Sequence, residues 1–263
     1  MVISKMKSKA LIFFTVLFTL STHIPVYATV AQRIPVLLYH HILSEKEYSG
    51  DNAFVLKAES FRSQMQFLYD NGYRTITEDD MYRFLYKKEN LPEKSFMIHF
   101  DDGYYSNIIY AYPILKELGF TATVFLITDL TKDSDEGLNK DSYITKKCME
   151  DTADVFTFSS HTHAMHKKED GATVLERSSK ENIIEDLRQS LKIVDNTFSF
   201  AYPHGRYNQA VIDALKGAGI QMAYAITRGY VTQGSNPFAL NRFTVYRETA
   251  LSEVRRFVLR EYR

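Results

Sequence analysis

In the segment MIHFDDGYYS, Met97–Ser106, an apolar run is followed by two adjacent aspartates and a glycine. A short apolar run of this kind is typical of a strand buried on both faces. Asp101 and Asp102 then stand where the strand leaves the core. Because neighbouring carboxylates repel when both are ionised, the pair indicates either a bound cation or two different roles. Asp-Gly is also common turn chemistry, so the rest of the chain has to separate these interpretations.

Composition excludes several classes of function. The chain has 263 residues, and Lys plus Arg and Asp plus Glu both total 32, so nothing in the overall charge favours nucleic acid as a partner. The single cysteine, Cys148, excludes an intramolecular disulfide framework and a Cys-based zinc cluster. Histidine and aspartate are therefore the natural metal ligands in this chain.

The first 28 residues have the order of a secretory signal peptide. Three lysines precede an apolar run from Ala10 to Leu20, and Pro25 breaks the pattern before Ala28, the expected cleavage site. The run is short for a bilayer span, although an uncleaved anchor stays open as an alternative. We therefore expect a signal peptide at 1–28, one catalytic domain at 29–263, and a protein that is secreted or held at the cell surface.

From Ile34 onward, short apolar runs alternate with amphipathic helical patterns. Helices are indicated by apolar stripes such as Phe61, Met65 and Leu68, and by end signals such as Gly119. The predicted strands are 34–39, 73–76, 96–100, 121–127, 154–159, 198–202, 222–227 and 242–246. This alternation predicts an α/β fold, a distorted (β/α) barrel of about seven to eight mainly parallel strands in a single domain.

Polar clusters follow four of these predicted strands. They are the His40–His41 pair, the Asp101–Asp102 pair, the histidines of SSHTHAMH (159–166), and PHG (203–205). In a (β/α) barrel the loops after the carboxyl ends of the strands surround one mouth, so we expect the four clusters to meet there.

The segment SSHTHAMH carries three histidines: His161, His163 and His166. Two histidines and one carboxylate from another loop give the three protein ligands of a catalytic divalent metal, with positions left open for water and substrate. A solvated histidine-rich loop is the alternative. With the aspartate pair, the metal interpretation is favoured: one aspartate binds the cation and the other acts as a general base on a water.

Together these residues resemble a known family. HFDDG is similar to the first motif of the polysaccharide deacetylases, also called carbohydrate esterase family 4 or NodB-homology domains. The resemblance implies that Asp101 is the base and Asp102 a metal ligand. SHTHAMH resembles the second motif, whose two histidines complete the metal site. In most of the family the second histidine lies one position earlier than His166; the later position resembles the branch acting on the biofilm polymer poly-β-1,6-N-acetylglucosamine. His161 and His166 are then the ligands, and His163 has a structural or rim role.

FAYPHG is similar to the family's third motif, an Arg-x-Pro-Tyr pattern that lines the groove. Pro203 and Gly205 match, Ala201 stands in place of the arginine, and His204 replaces the aromatic residue. The resemblance implies that the His204 backbone N–H stabilises an oxyanion. What orients Asp101 without the arginine is left open.

The family's last motif normally supplies a catalytic histidine near the C-terminus. This chain has Arg242 there and no histidine after His204. The biofilm branch is similar to a circularly permuted arrangement in which the histidine comes from the N-terminal strand, so His40 is the expected general acid and His41 the runner-up. The expected substrate contacts are Tyr104, Tyr202, Pro203 and Gly205.

The resemblance implies a metal-dependent de-N-acetylase of extracellular polysaccharide, with poly-β-1,6-N-acetylglucosamine as the first substrate. Its cofactor is expected to be one divalent ion, zinc first, with Co²⁺, Ni²⁺ and Fe²⁺ as alternatives. The protein is expected to be a monomer, and association with the membrane surface or cell wall stays open. Alternatives are a peptidoglycan or chitin deacetylase, an acetyl-xylan esterase, and a non-catalytic surface protein that binds polysaccharide.

Overall fold

The structure is a computed structural model that describes residues 30–48, 50–195 and 198–261. The expected signal peptide at 1–28 lies outside the described residues. Within the described ranges, no helix is both long enough and apolar enough to cross a membrane.

The strands are short and all but two belong to parallel ladders. In the described part of the chain they are β1 (Val36–Tyr39), β2 (His41–Leu43), β3 (Val55–Lys57), β4 (Arg74–Thr75), β5 (Ser95–Phe100), β6 (Ala122–Leu126), β7 (Phe156–Ser160), β8 (Lys168–Glu169), β9 (Ala172–Thr173), β10 (Ser199–Ala201), β11 (Met222–Tyr224) and β12 (Phe243–Thr244).

The helices lie between these strands. They are α1 (Ala58–Asp70), α2 (Glu78–Tyr82), α3 (Tyr112–Leu118), α4 (Lys146–Asp151), α5 (Val174–Arg177), α6 (Lys180–Ser190), α7 (Gln209–Gly217) and α8 (Leu251–Val258). Two π-helical turns, Arg83–Lys87 and Asn107–Ala111, continue α2 and precede α3, and 3₁₀ turns occupy Thr128–Leu130 and Pro203–Gly205.

The main sheet runs in the order β11-β10-β7-β6-β5-β1-β12, with β4 paired to β5. The segment 240–244 connects the two edges of the sheet. Leu240 bridges in parallel to Tyr224 at the end of β11, and Phe243 pairs with Leu37 in β1. The sheet therefore curls into a distorted (β/α) barrel, as predicted, and each of the eight predicted strands overlaps one strand of this sheet.

Helix patterning follows the sequence expectations. Helix α1 buries Phe61, Met65 and Leu68 against the sheet, and each such side chain contributes about 1.5–3 kcal/mol by leaving water. Thr77 begins α2 with a capping box to Asp80, and α3 ends at Gly119 in the left-handed conformation.

Several features were not predicted, and three of them follow. Strands β8 and β9 form an antiparallel hairpin, α8 packs near the C-terminus, and β2 and β3 pair in parallel outside the main sheet. The β2–β3 ladder matters for the site because the backbone N–H of His41 donates to the Phe54 carbonyl at 3.3 Å, which holds Phe54 beside the end of β1.

Candidate active site

One cleft lies at the carboxyl ends of the barrel strands, and the structure brings all four predicted polar clusters to it. His40 follows β1, the aspartates follow β5, His161 follows β7, and His204 follows β10. The residues that line the cleft are His40, Phe54, Asp101, Asp102, His161, His166, Lys168, His204 and Ile226.

Asp102, His161 and His166 form a group that can hold one metal ion, since each offers a ligand atom and these atoms lie within 4.8 Å of one another. Oδ1 of Asp102 is 3.6 Å from Nε2 of His161 and 3.3 Å from Nε2 of His166. Two imidazole nitrogens and one carboxylate oxygen therefore converge on one point. This is the set of donors expected for a catalytic divalent ion.

A hydrogen bond fixes the His161 ring in the tautomer that a metal requires. Its Nδ1–H donates to the Ala201 carbonyl at 2.7 Å, which leaves the Nε2 lone pair facing Asp102. Burial lowers the pKa of His161 to about 4, although the nearby Asp101 carboxylate acts in the opposite direction. The imidazole is thus neutral at pH 7 and fits a metal ligand.

Left-handed backbone conformations shape the loops of the site. Asp102, Thr162 and His204 have φ values of 72°, 77° and 54°, which cost non-glycine residues roughly 1–2 kcal/mol each. At Asp102 the turn directs two consecutive carboxylates to the same cleft. Gly103 continues this turn at φ 80°, and a Cβ there would lie 2.6 Å from Cδ2 of Leu126, so only glycine fits without rearrangement.

Asp101 is held by an arginine that the sequence analysis did not assign. Nη1 and Nη2 of Arg242 each donate to one carboxylate oxygen of Asp101 at 2.8 Å, and Nε donates to the Ala225 carbonyl at 2.8 Å. Arg242 is fully buried, with its guanidinium over the rings of Phe125 and Tyr224. This bidentate pair answers what orients Asp101.

The same pair determines the charge of Asp101. Burial alone would raise the pKa of this carboxyl group, but the Arg242 guanidinium and the neighbouring imidazoles of His161 and His40 outweigh burial and hold the pKa far below its ordinary value. Asp101 is therefore a fixed anion beside Asp102, His161 and His166.

Two departures from the family pattern, read together, could have identified Arg242. The third motif lacks its arginine at Ala201, and the last motif has an arginine where a histidine is usual. Arg242 directly precedes β12, which pairs with β1, and its side chain reaches Asp101 across the barrel interior.

The two histidines after β1 face different surroundings. His40 lines the cleft, whereas His41 stacks on Tyr104 with ring centroids 4.3 Å apart and lies 3.1 Å from the Lys140 carbonyl through Nε2. Burial lowers the pKa of His40, and the carboxylates of Asp102 and Asp101 partly oppose this. Of the two histidines, His40 is therefore the one whose side chain lines the cleft.

His163, the middle histidine of SSHTHAMH, lies outside the metal group. Its Nδ1 is 3.0 Å from the Thr128 hydroxyl, and its backbone N–H donates to Asp186 at 2.8 Å. The other Asp186 oxygen accepts from the N–H of Ala164 at 2.8 Å. These contacts hold the loop between His161 and His166, which fits the expected structural role of His163.

The third-motif residues contribute in different ways. His204 lines the cleft, and its Nε2–H donates to the His166 carbonyl at 3.1 Å, so its side chain steadies a ligand loop. Gly205 packs directly on Ile226, where an added Cβ would lie 2.3 Å from Cγ1. Pro203 is buried at the start of this turn, and its contact with substrate stays a prediction.

The expected substrate contact of Tyr202 is wrong. Its side chain is fully buried, its hydroxyl donates to the Phe238 carbonyl at 3.0 Å, and its ring stacks on Tyr207. Alternation along β10 sends this residue into the layer between sheet and helices rather than toward the cleft. Tyr104 is partly buried between His41 and Tyr143, near enough for Asp102 to help burial raise its pKa.

Comparison with known proteins identifies the family. The sequence profile described as Polysaccharide deacetylase matches residues 88–223. YxkH of Bacillus subtilis (strain 168), which carries the name polysaccharide deacetylase, is 30% identical over 219 residues, covering 81% of this chain and 71% of that protein. This chain belongs to the polysaccharide deacetylase family. The resemblance drawn from the sequence motifs is thereby confirmed.

Other members of the family extend this likeness. The poly-β-1,6-N-acetyl-D-glucosamine N-deacetylase of Staphylococcus aureus (strain MRSA252) is 29% identical over 202 residues, 73% of this chain and 68% of that protein. The solved structure of the Streptococcus pyogenes deacetylase PplD with acetate has a TM-score of 0.75 at 26% identity, covering 88% of this chain and 99% of that chain. IcaB from Ammonifex degensii also has a TM-score of 0.75, at 20% identity and 87% and 98% coverage, and supports the fold.

Proposed function

We propose that this deacetylase removes acetyl groups from the N-acetylglucosamine units of an extracellular polysaccharide, with poly-β-1,6-N-acetylglucosamine as its first substrate. The observation that carries the proposal is the convergence of an ionised Asp101, the Asp102–His161–His166 group and His40 in one cleft. The named activity of the Staphylococcus aureus relative supports this choice of polymer.

The metal proposed for the site is one divalent ion, zinc first, with Co²⁺, Ni²⁺ and Fe²⁺ as alternatives. Asp102, His161 and His166 would hold it. When bound, such an ion supplies Lewis acidity toward an acetamide oxygen and lowers the pKa of water. The ordered His161 tautomer supports this assignment, because a ligand already oriented by its second nitrogen loses little freedom on binding.

Asp101 is the proposed general base. The bidentate contact with Arg242 keeps its carboxylate ionised and fixed in direction, so it is ready to accept a proton from the water that attacks the acetyl carbon. Both oxygens already accept from Arg242, and carboxylate oxygens have further lone pairs for this proton. Arg242 therefore acts on the reaction through the orientation and charge of Asp101.

His40 is the proposed general acid, which gives a proton to the departing amine as the carbon–nitrogen bond breaks. Acetate and a free amine on the polymer are then the products. Its place in the cleft supports this role, and the carboxylates of Asp102 and Asp101 oppose the burial that lowers its pKa. The His204 backbone N–H is proposed to stabilise the negative charge on the acetyl oxygen, and the left-handed turn at His204 sets the direction of the peptide groups around it.

The location proposed for the protein is outside the cytoplasmic membrane. The order of charges, apolar run and small residues in 1–28 supports export, and a polymer substrate of this kind is outside the cell. We propose that the domain from residue 29 works as a monomer, peripherally at the membrane or cell wall.

The test is acetate and free-amine release from β-1,6-linked N-acetylglucosamine oligomers, chitin oligomers and acetylated xylan, each with and without a chelator. We expect chelator-sensitive release with the β-1,6-linked oligomers as the best substrate. Faster release from chitin would favour the chitin or peptidoglycan alternative, and release from xylan would favour the esterase. Binding of the oligomers without any release would identify a non-catalytic polysaccharide-binding protein.

A further inference from the structure

Two aromatic side chains stand exposed at the rim of the cleft. Phe54 and Tyr246 are 42% and 37% exposed, and their ring centroids are 5.5 Å apart. Phe54 also lines the cleft, with its ring centroid 4.6 Å from that of His40. An aromatic surface thus begins at the proposed general acid and extends outward from it.

The backbone on both sides of this surface is fixed by hydrogen bonds. The Phe54 carbonyl accepts from the N–H of His41, and the Phe54 N–H donates to the Asn52 side chain at 3.0 Å. The N–H of Arg247 donates to the Ala53 carbonyl at 2.7 Å, which ties the two aromatic segments together. The rings are therefore presented from ordered backbone, so a ligand would not have to order it.

Many of the other large aromatic side chains lie in the core. Phe61, Phe96 and Phe100 are fully buried, for example. Leaving two rings in water forgoes the free energy of burial, so a continuous exposed aromatic surface beside a reactive cleft indicates a ligand that covers it. Ile226, 43% exposed, adds a further apolar side chain to the cleft lining.

We propose that Phe54 and Tyr246 form a binding subsite for the pyranose ring of the sugar unit adjacent to the one that is deacetylated. The inference rests on the proposed function. Axial C–H groups of a β-linked pyranose form an apolar face that packs on aromatic rings, while the sugar hydroxyl groups stay in water. Continuity with the cleft at His40 places this subsite on the path of the polymer.

The experiment compares one long substrate with one short substrate. Acetate release is measured from the β-1,6-linked N-acetylglucosamine pentamer and from an aryl acetate, which has no neighbouring sugar. Phe54→Ala and Tyr246→Ala should each raise KM for the pentamer about tenfold, and the ratio of kcat/KM for pentamer to that for aryl acetate should fall by about the same factor. Phe54→Tyr, which keeps a ring, should hold this ratio within about twofold of wild type.

A matched control is Tyr69→Ala, because Tyr69 is 53% exposed on α1 and lies outside the set of cleft-lining residues. Its KM for the pentamer should equal that of wild type. Equal losses on both substrates, or no loss on the pentamer, would overturn the subsite.

Failure of the proposed function is distinguishable from failure of the subsite. If wild type releases no acetate from any glycan, the pentamer is titrated into wild type and Phe54→Ala by calorimetry. Weaker binding to Phe54→Ala would support the subsite. Equal binding to both proteins, or no binding to wild type, would overturn it.

Discussion

The barrel contains two clusters made from the same kinds of side chain, and they serve different ends. In the interior, Nε2 of His99 lies 3.2 Å from Oε1 of Glu78, and Tyr224 donates to Oε2 of Glu78 at 2.8 Å. At the rim, the carboxylate of Asp102 faces the imidazoles of His161 and His166. Strand β5 contributes His99 to the interior cluster and leads directly into Asp102 of the rim cluster.

Access and donor number separate the two clusters. His99 and Glu78 are 0% and 3% exposed, whereas the side chains of Asp102 and His166 are 17% and 21% exposed in the cleft. The interior carboxylate of Glu78 lies beside one imidazole and accepts from one hydroxyl group. The rim carboxylate is matched by two imidazole nitrogens aimed at the same oxygen, so a cation can replace the contacts among them. A carboxylate beside an imidazole is therefore not enough to make a metal site; access and a second imidazole are also needed.

The largest expected effect is the loss of one rim imidazole. His166→Gln should lose the bound metal and lower turnover by about a thousandfold or more, because the ion supplies several kcal/mol of charge stabilisation. The matched control is His163→Gln in the same loop, which should retain about one metal ion per chain by plasma mass spectrometry. If His166→Gln kept its metal and its turnover, the rim cluster would not be the metal site.

The next largest effect concerns the buried ion pair between Asp101 and Arg242. Arg242→Met leaves Asp101 buried without its guanidinium, which should lower the free energy of unfolding by about 3–5 kcal/mol. Glu78→Gln in the interior keeps an oxygen for Tyr224 and should cost about 1 kcal/mol. Urea denaturation of the metal-free proteins measures both. Equal costs would show that the Asp101–Arg242 pair is no more important to stability than the interior cluster.

Proton linkage gives a smaller effect that both regions share. Burial lowers the pKa of His161 to about 4 from 6.5, and burial also lowers the pKa of His99 and His40. Since the unfolded chain binds these protons first, stability should fall as pH falls from about 6.5 to 4, with His161 contributing up to about 3 kcal/mol.

The contribution of the rim histidine His161 to this dependence of stability on pH can be isolated. In metal-free protein, His161→Asn should show a shallower loss of melting temperature between these pH values than wild type. Zinc should raise the melting temperature more at pH 7 than at pH 5, because protons compete for the rim imidazoles. An unchanged slope in His161→Asn would contradict the low pKa of this histidine.

The smallest effect belongs to the interior. Tyr224→Phe removes the hydroxyl that donates to Glu78 and keeps the ring beneath Arg242, so the free energy of unfolding should fall by about 1–3 kcal/mol. Metal content and turnover should stay within about twofold of wild type. A loss of metal would show that the two clusters are coupled.

The fold could be predicted because its signals are local. Apolar runs such as 96–100 and 121–127 became β5 and β6, and the spacing of the runs is enough to indicate a parallel barrel. Strand β2 could not be predicted, since its partner β3 lies outside the main sheet and the polar His40–His41 pair, whose second residue begins β2, is typical of a loop. Pairing between distant short segments depends on the tertiary structure rather than on periodicity.

The candidate site could be predicted as far as its motifs reach. Asp102, His161 and His166 come together because each follows the carboxyl end of a barrel strand, which the sequence order already indicates. Arg242 and Phe54 were missed because their roles depend on which strand closes the barrel and on the β2–β3 ladder. Tyr202 was misassigned because burial of a strand end cannot be read from a short motif.

X-ray absorption at the metal edge of the zinc-loaded protein will show whether Asp102, His161 and His166 share one ion. We expect one zinc per chain, a first shell of nitrogen and oxygen only, and outer-shell scattering from two imidazole rings, reduced to one ring in any residual zinc of His166→Gln. A sulfur ligand, a first shell without imidazole, or a spectrum unchanged in His166→Gln would contradict it.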